Sequence, residues 1–177
     1  MKNEKTRRLV GTALLAAIVV VLQSLSTYFK IGTVELSFVL IPIVVGSAMY
    51  GASTGAFLGA VFGVVVLLQP GTNAFYQITV FGTIATVIVK GCASGLLSGL
   101  TYKLLKGKNE WLAVYSAAAV CPIVNTAVFV LGLIVFFNTD LFAAFAVFAG
   151  VNFAIELIIN IVCSPIIIRI LHAINRK

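Results

Sequence analysis

Lys90 is the one charged residue in the long apolar stretch from residue 79 to residue 102. Thr79, Thr83 and Thr86 precede it by 11, 7 and 4 residues. On an α-helix all four side chains therefore fall on one narrow face. If this stretch spans a bilayer from residue 79, Lys90 lies about 16 Å deep, close to the midplane. A charge there costs about 2.5–3.5 kcal/mol on insertion scales, which makes Lys90 a candidate functional residue.

Four further polar residues, on two other apolar stretches, are expected at a similar depth. Asn152, Glu156 and Asn160 follow one another at intervals of four on a second apolar stretch, and Asn125 follows Pro122 on a third. A connecting segment at 70–78 lies above them. We predict that these groups line one site, made of Lys90, Thr86, Thr83, Asn125, Asn152, Glu156, Asn160, Asn73, Tyr76 and Gln77.

Two interpretations of these polar groups are open. The first is a pocket for a small polar solute, which Lys90 would suit if the solute is anionic. The second is a structural ion pair between Lys90 and Glu156, with the amides linking neighbouring helices. The two can coexist, since a buried pair can also line a cavity.

Several classes of chemistry are excluded by what the chain lacks. It has one histidine and no plausible Ser–His pair, so it is not expected to be a serine hydrolase. It has no P-loop motif, and no carboxylate cluster that would hold Mg²⁺ or Zn²⁺. We expect no catalytic residue, no metal and no cofactor, and the energy for any transport must come from another subunit.

The composition predicts an integral membrane protein. The 177 residues are 61% hydrophobic and 10% charged, whereas soluble domains carry about 25% charged residues. Runs of about 20 apolar residues are long enough to span a bilayer. We predict one all-α transmembrane domain covering residues 1–177, with six helices at about 9–29, 34–50, 52–69, 79–102, 111–137 and 148–171.

The basic residues set the predicted orientation. With six spans, ten of the twelve Lys and Arg residues fall on the side that carries both termini and the 103–110 loop. Lys30 falls on the opposite side and Lys90 lies inside a helix. Because cytoplasmic loops are enriched in Lys and Arg, both termini are predicted to be cytoplasmic. The same distribution argues against nucleic-acid binding and for a topological role of the charge.

Small residues recur at four-residue spacing in three of the predicted helices. Gly51, Gly55, Gly59 and Gly63 form one series, and Gly91, Gly95 and Gly99 form another. Such series let helices approach closely, so we interpret both as internal packing surfaces. The pair Ala13 and Ala17 has the same spacing, and packing or docking to another protein are equally open for it.

The chain resembles the substrate-binding (S) components of energy-coupling factor (ECF) transporters, the bacterial vitamin importers. The resemblance rests on the stretches 13–17, 35–42, 122–126 and 152–156, in that order within a six-helix frame. Stretch 13–17 is similar to the family's Ala-x-x-x-Ala first helix. Relatives often carry Pro-Arg where this chain has Val89-Lys90, which keeps the cation but loses the bidentate fork of arginine.

The resemblance implies a function and partners. Such subunits are not enzymes. They reside in the bacterial cell membrane and bind a vitamin-like small molecule from outside, at a site made by helices four to six and outer loops. They dock through helices one to three, here with Ala13 and Ala17, onto a transmembrane coupling subunit that works with two ATPase subunits.

The sequence ranks ligands only weakly. Lys90 favours a carboxylate-bearing vitamin, so pantothenate is placed first, with riboflavin, pyridoxine or a pyrimidine left open. Two alternative functions remain open from the residues alone. One is a self-sufficient secondary transporter, which the missing internal repeat and the lone Glu156 disfavour. The other is a membrane scaffold without a ligand, which the confinement of polar groups to one half of the bundle disfavours.

Overall fold

The computed structural model describes the backbone of residues 2–26, 28, 30–31, 34–35, 38–137 and 139–175, and the side chains of residues 4–26, 28, 38–137 and 149–173. The described chain is helical apart from one small hairpin. The helices are α1 Lys2–Ser26, α2 Leu40–Tyr50, α3 Ala52–Leu67, α4 Asn73–Tyr76, α5 Val80–Leu105, α6 Glu110–Phe136 and α7 Thr139–Asn175. The hairpin is formed by β1 Lys30–Ile31 and β2 Val34–Glu35, and a 3-10 turn, Pro70–Thr72, precedes α4.

The membrane-spanning elements are four long apolar helices and one bent pair. Segments of α1, α5, α6 and α7 are each long and apolar enough to span a bilayer. Helix α3 and the segment Pro70–Tyr76 pass the same test only together, with a bend of 77° between them. Helix α2 has 11 residues, which is about 16 Å and roughly half of a bilayer core. The helical membrane fold is therefore present. Among the described residues four helices, or five spans if the bent pair forms one, are long and apolar enough to cross a bilayer, and the count of six stays a prediction.

The second predicted helix, at 34–50, begins later than expected. Residues 34–35 belong to β2, which pairs antiparallel with β1 in a register that places Lys30 opposite Glu35. Helix α2 starts at Leu40, and Pro42 lies in its first turn. Proline is tolerated there because the first turn of a helix has no internal acceptor for its N–H groups. The largely apolar residues from 34 onward gave no sign of this break between strand and helix.

The predicted outer loop at 138–147 is also different. Residues 139–147 form the first part of α7, which has 37 residues where the prediction was a helix over 148–171. Residues 139–147 contain neither glycine nor proline and include three alanines, the best helix former. A helix of this length is about 55 Å long and exceeds the bilayer core. The helix therefore tilts in the bilayer or extends beyond its hydrocarbon core.

The interface between α3 and α5 is built from glycine. A Cβ atom added to Gly55 would meet the carbonyl oxygen of Gly95, and one added to Gly59 would meet that of Gly91. A Cβ atom on Gly63 would lie 2.9 Å from the carbonyl oxygen of Val87. The two backbones are thus in direct contact, as the glycine spacing predicted.

Gly51 does not belong to this surface. It lies between α2 and α3 with φ of 97°, a conformation that L side chains rarely adopt. Glycine is therefore needed at this position for the turn between α2 and α3. The prediction that Gly51 contributes to a helix contact was wrong.

Contacts between helix ends define one basic end of the bundle. The Arg8 guanidinium donates to Ser53 Oγ at 3.0 Å, which joins the start of α1 to the start of α3. His172 Nε2 lies 2.8 Å from Glu110 Oε2, which joins the end of α7 to the start of α6. Lys103 and Lys106, at the end of α5, precede the short connection to α6. The opposite end carries the bent segment 70–76.

Candidate functional site

A cavity of about 370 Å³ lies between α5, α6, α7 and the segment that follows α3. Its wall is partly polar and partly aromatic. The polar residues that line it are Gln69, Thr72, Thr83, Thr86, Lys90, Asn125, Thr126, Asn152 and Glu156. The remaining lining residues are Val66, Gly71, Phe75, Val87, Phe129, Phe137 and Ala149.

Lys90 projects from the middle of α5 into this cavity between two aromatic rings. Its Nζ atom lies 4.9 Å from the centre of the Phe129 ring and 5.6 Å from the centre of the Phe62 ring. Ring faces attract a cation by about 0.5–2 kcal/mol, the larger values holding where water is excluded. The rings therefore hold the ammonium group at the cavity wall.

Glu156 provides the opposite charge on α7. Its side chain is buried, and its Oε2 atom accepts a hydrogen bond of 3.5 Å from Asn125 Nδ2 on α6. It also interacts electrostatically with Lys90. Asn160, one turn further along α7, donates from Nδ2 to the Glu156 backbone carbonyl at 2.8 Å. The ammonium group of Lys90 and the carboxyl group of Glu156 thus line the same cavity.

Three polar atoms of the wall have no hydrogen-bond partner among the described residues. They are Thr86 Oγ1, Asn125 Oδ1 and Asn152 Oδ1, and all are buried. Thr83 differs, because its hydroxyl donates to the Thr79 carbonyl of its own helix at 2.7 Å. A buried polar group without a partner costs about 1–3 kcal/mol. The three atoms are therefore positioned to bind a polar molecule inside the cavity.

The bent segment after α3 covers one side of the cavity. Phe75 packs edge-on against Phe129 and Phe137, with ring centres 5.9 and 5.6 Å apart. The Tyr76 hydroxyl donates to the Leu67 carbonyl at 2.9 Å, and the Thr72 hydroxyl donates to the Val66 carbonyl at 2.6 Å. These two hydrogen bonds hold the segment against the last turn of α3.

Gln69 ties the same segment to α1. Its side chain exchanges two hydrogen bonds with Gln23: Gln23 Nε2 donates to Gln69 Oε1 at 3.0 Å, and Gln69 Nε2 donates to the Gln23 carbonyl at 2.7 Å. Gln69 also lines the cavity. The first helix is thereby connected to the cavity wall through one side chain.

Comparison with known families decides between the alternative functions that the residues alone left open. The model of the family "ECF transporter, substrate-specific component" matches residues 7–168, nearly the whole chain. The chain belongs to this family. It is a multi-pass membrane subunit of an ECF importer that binds a small molecule, and it is not an enzyme, since ATP hydrolysis resides in the partner subunits of the ECF module. No curated protein and no solved structure matched the chain.

In this S component, most of the predicted polar residues surround the cavity. Those that line it are Thr83, Thr86, Lys90, Asn125, Asn152 and Glu156. Asn160 lies one turn beneath, fully buried, and contacts Glu156 instead. The helical spacing of the polar residues was therefore a good guide to a shared face.

The three residues predicted from the 70–78 loop do not line the cavity. Asn73 and Gln77 are exposed, and Tyr76 uses its hydroxyl to close the bent segment. The segment is not an open loop but a 3-10 turn followed by α4, and this geometry directs Thr72 and Phe75 inward. Polarity alone could not predict which side chains of a short helical turn face inward.

Other lining residues were missed. Phe129 follows Asn125 by four residues, so its place on the same face of α6 was readable from the spacing. Gln69 and Phe137 lie at the ends of elements, where no periodicity indicates their direction. Among the described residues no group of three or more His, Cys, Asp or Glu side chains could hold a metal ion.

Proposed function

We propose that this S component captures a small carboxylate-bearing vitamin, with pantothenate as the first candidate, and delivers it to the ECF module. The observation that carries the proposal is the Lys90 ammonium on a cavity wall that also presents partly unpaired amide and hydroxyl groups. The cavity of about 370 Å³ lies within the range of about 300–1,000 Å³ typical of small-molecule sites.

Each wall group has a proposed role. Lys90 attracts the carboxylate of the solute, since an ammonium–carboxylate hydrogen bond is stronger than one between neutral groups. Asn125 Oδ1, Asn152 Oδ1 and Thr86 Oγ1 accept hydrogen bonds from hydroxyl or amide groups of the solute. Pantothenate has two hydroxyl groups and an amide N–H besides its carboxylate, so it offers a donor for each of these acceptors.

Glu156 serves in this proposal to orient rather than to attract. Its negative charge disfavours a second anionic group at the α7 side of the cavity. It holds Asn125 through the 3.5 Å hydrogen bond, which leaves the Asn125 carbonyl oxygen directed away from the carboxylate. A solute whose carboxylate binds Lys90, and whose hydrogen-bond donors bind the acceptors on α6 and α7, therefore matches both sides of the cavity.

The orientation and docking are part of the same proposal. The basic end of the bundle faces the cytoplasm of a bacterial cell and the cavity opens toward the outside, in accordance with the positive-inside rule. Ala13 and Ala17 are exposed on α1, which leaves their face accessible to the transmembrane coupling subunit. Two ATPase subunits act on that complex.

The first test is native mass spectrometry of the detergent-purified protein without added ligand, followed by isothermal titration with pantothenate. We expect Lys90→Met to weaken pantothenate binding about 10- to 150-fold, because a hydrogen bond to a charged group contributes about 1.5–3 kcal/mol. The matched control is Lys103→Met, since Lys103 is an exposed lysine on the same helix. It should bind like the wild type.

Pantothenol provides a control on the ligand side, because it carries a hydroxymethyl group in place of the carboxylate. If wild-type protein binds pantothenol as tightly as pantothenate, the proposed role of Lys90 is wrong. If Lys90→Met fails to fold while Lys103→Met folds, Lys90 is instead a structural partner of Glu156. A co-purifying solute without a carboxylate would exclude pantothenate and leave the binding function intact.

A further inference from the structure

A second groove lies at the basic end of the bundle, between the first turns of α1 and the start of α3. Its volume is about 640 Å³. Lys5 and Arg8 border it at the end of the helices, and Ala13, Ala16 and Phe57 border it further toward the middle of the bundle. It is separate from the cavity that Lys90 lines, which lies between α5, α6 and α7.

The outer part of the groove is positively charged and fixed in place. Arg8 Nη2 donates to Ser53 Oγ at 3.0 Å and to Thr54 Oγ1 at 3.2 Å, so the guanidinium group is anchored to α3. Lys5 lies one turn earlier on α1, on the same face. Among the described residues that line the groove there is no acid. Two cations and the Ser53 hydroxyl form a suitable environment for a phosphate group.

The inner part of the groove is mostly apolar, although Thr12 also lines it. Ala13 and Ala16 present only methyl groups from α1, and the exposed ring of Phe57 forms the facing wall on α3. From Lys5 to Ala16 the rise along α1 is about 16 Å, roughly half of a bilayer core. Polar and apolar parts therefore follow each other in the order that a phospholipid presents them from its phosphate to its acyl chains.

We propose that this groove binds one anionic phospholipid, with its phosphate at Lys5 and Arg8 and one acyl chain along Ala13, Ala16 and Phe57. Charge complementarity selects a phospholipid for the isolated subunit, because Lys5 and Arg8 match its phosphate and the apolar inner part matches an acyl chain. Basic residues at the membrane surface attract anionic lipids, and a groove between helices adds a defined place for the chain. The lipid covers part of the Ala13 face, so docking of a coupling subunit there would have to displace or include it.

The test is native mass spectrometry of the full chain released from nanodiscs that contain phosphatidylglycerol and phosphatidylcholine in equal amounts. We expect one retained phosphatidylglycerol per protein, with about a tenfold preference over phosphatidylcholine. The double variant Lys5→Gln/Arg8→Gln should lose this preference. The charge-matched control Lys103→Gln/Lys108→Gln, which alters exposed lysines at the same end of the bundle, should keep it.

A second variant tests the groove without removing the hydrogen bonds of Arg8. Ala16→Leu fills the apolar part of the groove and leaves the Arg8 hydrogen bonds in place, so it should also reduce phosphatidylglycerol retention by several-fold. Equal retention of both lipids by wild-type protein, or equal loss in the control variant, would overturn the proposal. Displacement of the lipid by inorganic phosphate alone would show a free-ion site and overturn it as well. Groove variants that keep the lipid preference would overturn it too, whether or not they still copurify with the coupling subunit.

Discussion

Two faces of helix α5 differ in how closely they pack against their neighbours. On one face Gly91 and Gly95 lie against the backbone of α3, so closely that a methyl group on either would meet a carbonyl group. On the other face Thr83, Thr86 and Lys90 line a cavity of about 370 Å³. One face of this 26-residue helix is therefore close-packed against α3, and another face borders a cavity.

The difference separates residues that pack two helices together from residues that line the cavity. In lipid, apolar side chains gain little by leaving their surroundings, so close packing of small residues stabilises the α3–α5 pair. On the cavity side, polar atoms such as Thr86 Oγ1 and Asn152 Oδ1 have no partner among the described residues. A buried polar atom without a partner costs stability, and in the proposed function these atoms are the ones that bind the solute.

The largest expected effect lies on the packed face. Gly59→Ala would place a methyl group against the Gly91 carbonyl, and neither backbone can move without disturbing its helix. We expect a loss of about 3 kcal/mol in the free energy of unfolding, at the upper end of the usual 1–3 kcal/mol for overpacking. Thermal and detergent-induced unfolding of the purified protein would measure it.

Gly150→Ala is the matched control for Gly59→Ala. Gly150 lies inside α7, is exposed, and has nothing within 4 Å of an added Cβ atom. Its replacement should raise stability by about 0.5–1 kcal/mol, because alanine loses less backbone entropy than glycine on forming a helix. Equal effects at Gly59 and Gly150 would mean that the close contact of α3 and α5 does not hold the fold.

The cavity face should show the reverse behaviour, with an effect on affinity and little on stability. Thr86→Val keeps the shape of the side chain but removes a hydroxyl that has no partner among the described residues. We expect about a tenfold loss of affinity for the co-purifying solute, which corresponds to about 1.4 kcal/mol. Stability should stay unchanged or rise.

Thr83→Val, one turn earlier on the same face, is the comparison for Thr86→Val. The Thr83 hydroxyl already donates to its own helix at 2.7 Å, so its loss should change affinity less than about twofold. Titration calorimetry of both variants in parallel measures the contrast. A larger loss of affinity at Thr83 than at Thr86 would contradict the role given to unpaired atoms.

The smallest expected effect lies at a polar group whose partner is protein. Ser98, fully buried on α5, donates to the Ala117 carbonyl of α6 at 2.9 Å. Ser98→Ala should cost about 0.6 kcal/mol of stability, the average for hydrogen bonds between membrane helices, and should leave ligand affinity unchanged. Thr101→Val is the control, because the Thr101 hydroxyl donates within its own helix. A change of affinity in Ser98→Ala would show that the two classes of polar group are not distinct.

The sequence was informative wherever helical periodicity applies. The spacing of Thr83, Thr86 and Lys90 predicted one face of α5, and the spacing of Asn152 and Glu156 predicted one face of α7. The glycines predicted a close helix pair, and the structure shows which helices form it. Each of these follows from 3.6 residues per turn, a rule that acts within about ten residues.

The sequence was least informative where the chain turns. It predicted helix from residue 34 where the structure has a short strand, and a loop at 138–147 where the structure has helix. It also selected Asn73 and Gln77 for the site, whereas Thr72 and Gln69 line the cavity. Apolar composition is the same for strand, helix and loop near a membrane, so it cannot distinguish them.

By itself, then, the sequence determined a helical membrane protein and the helix faces that carry polar groups, because hydrophobic length and periodicity are local properties of the chain. Only the tertiary structure decided that α5, α6 and α7 leave a cavity between them while α3 and α5 leave none. It also decided that Gln69 joins α1 to the cavity wall. Those outcomes depend on how side chains from distant parts of the chain fill the space between helices, and no local pattern encodes that volume.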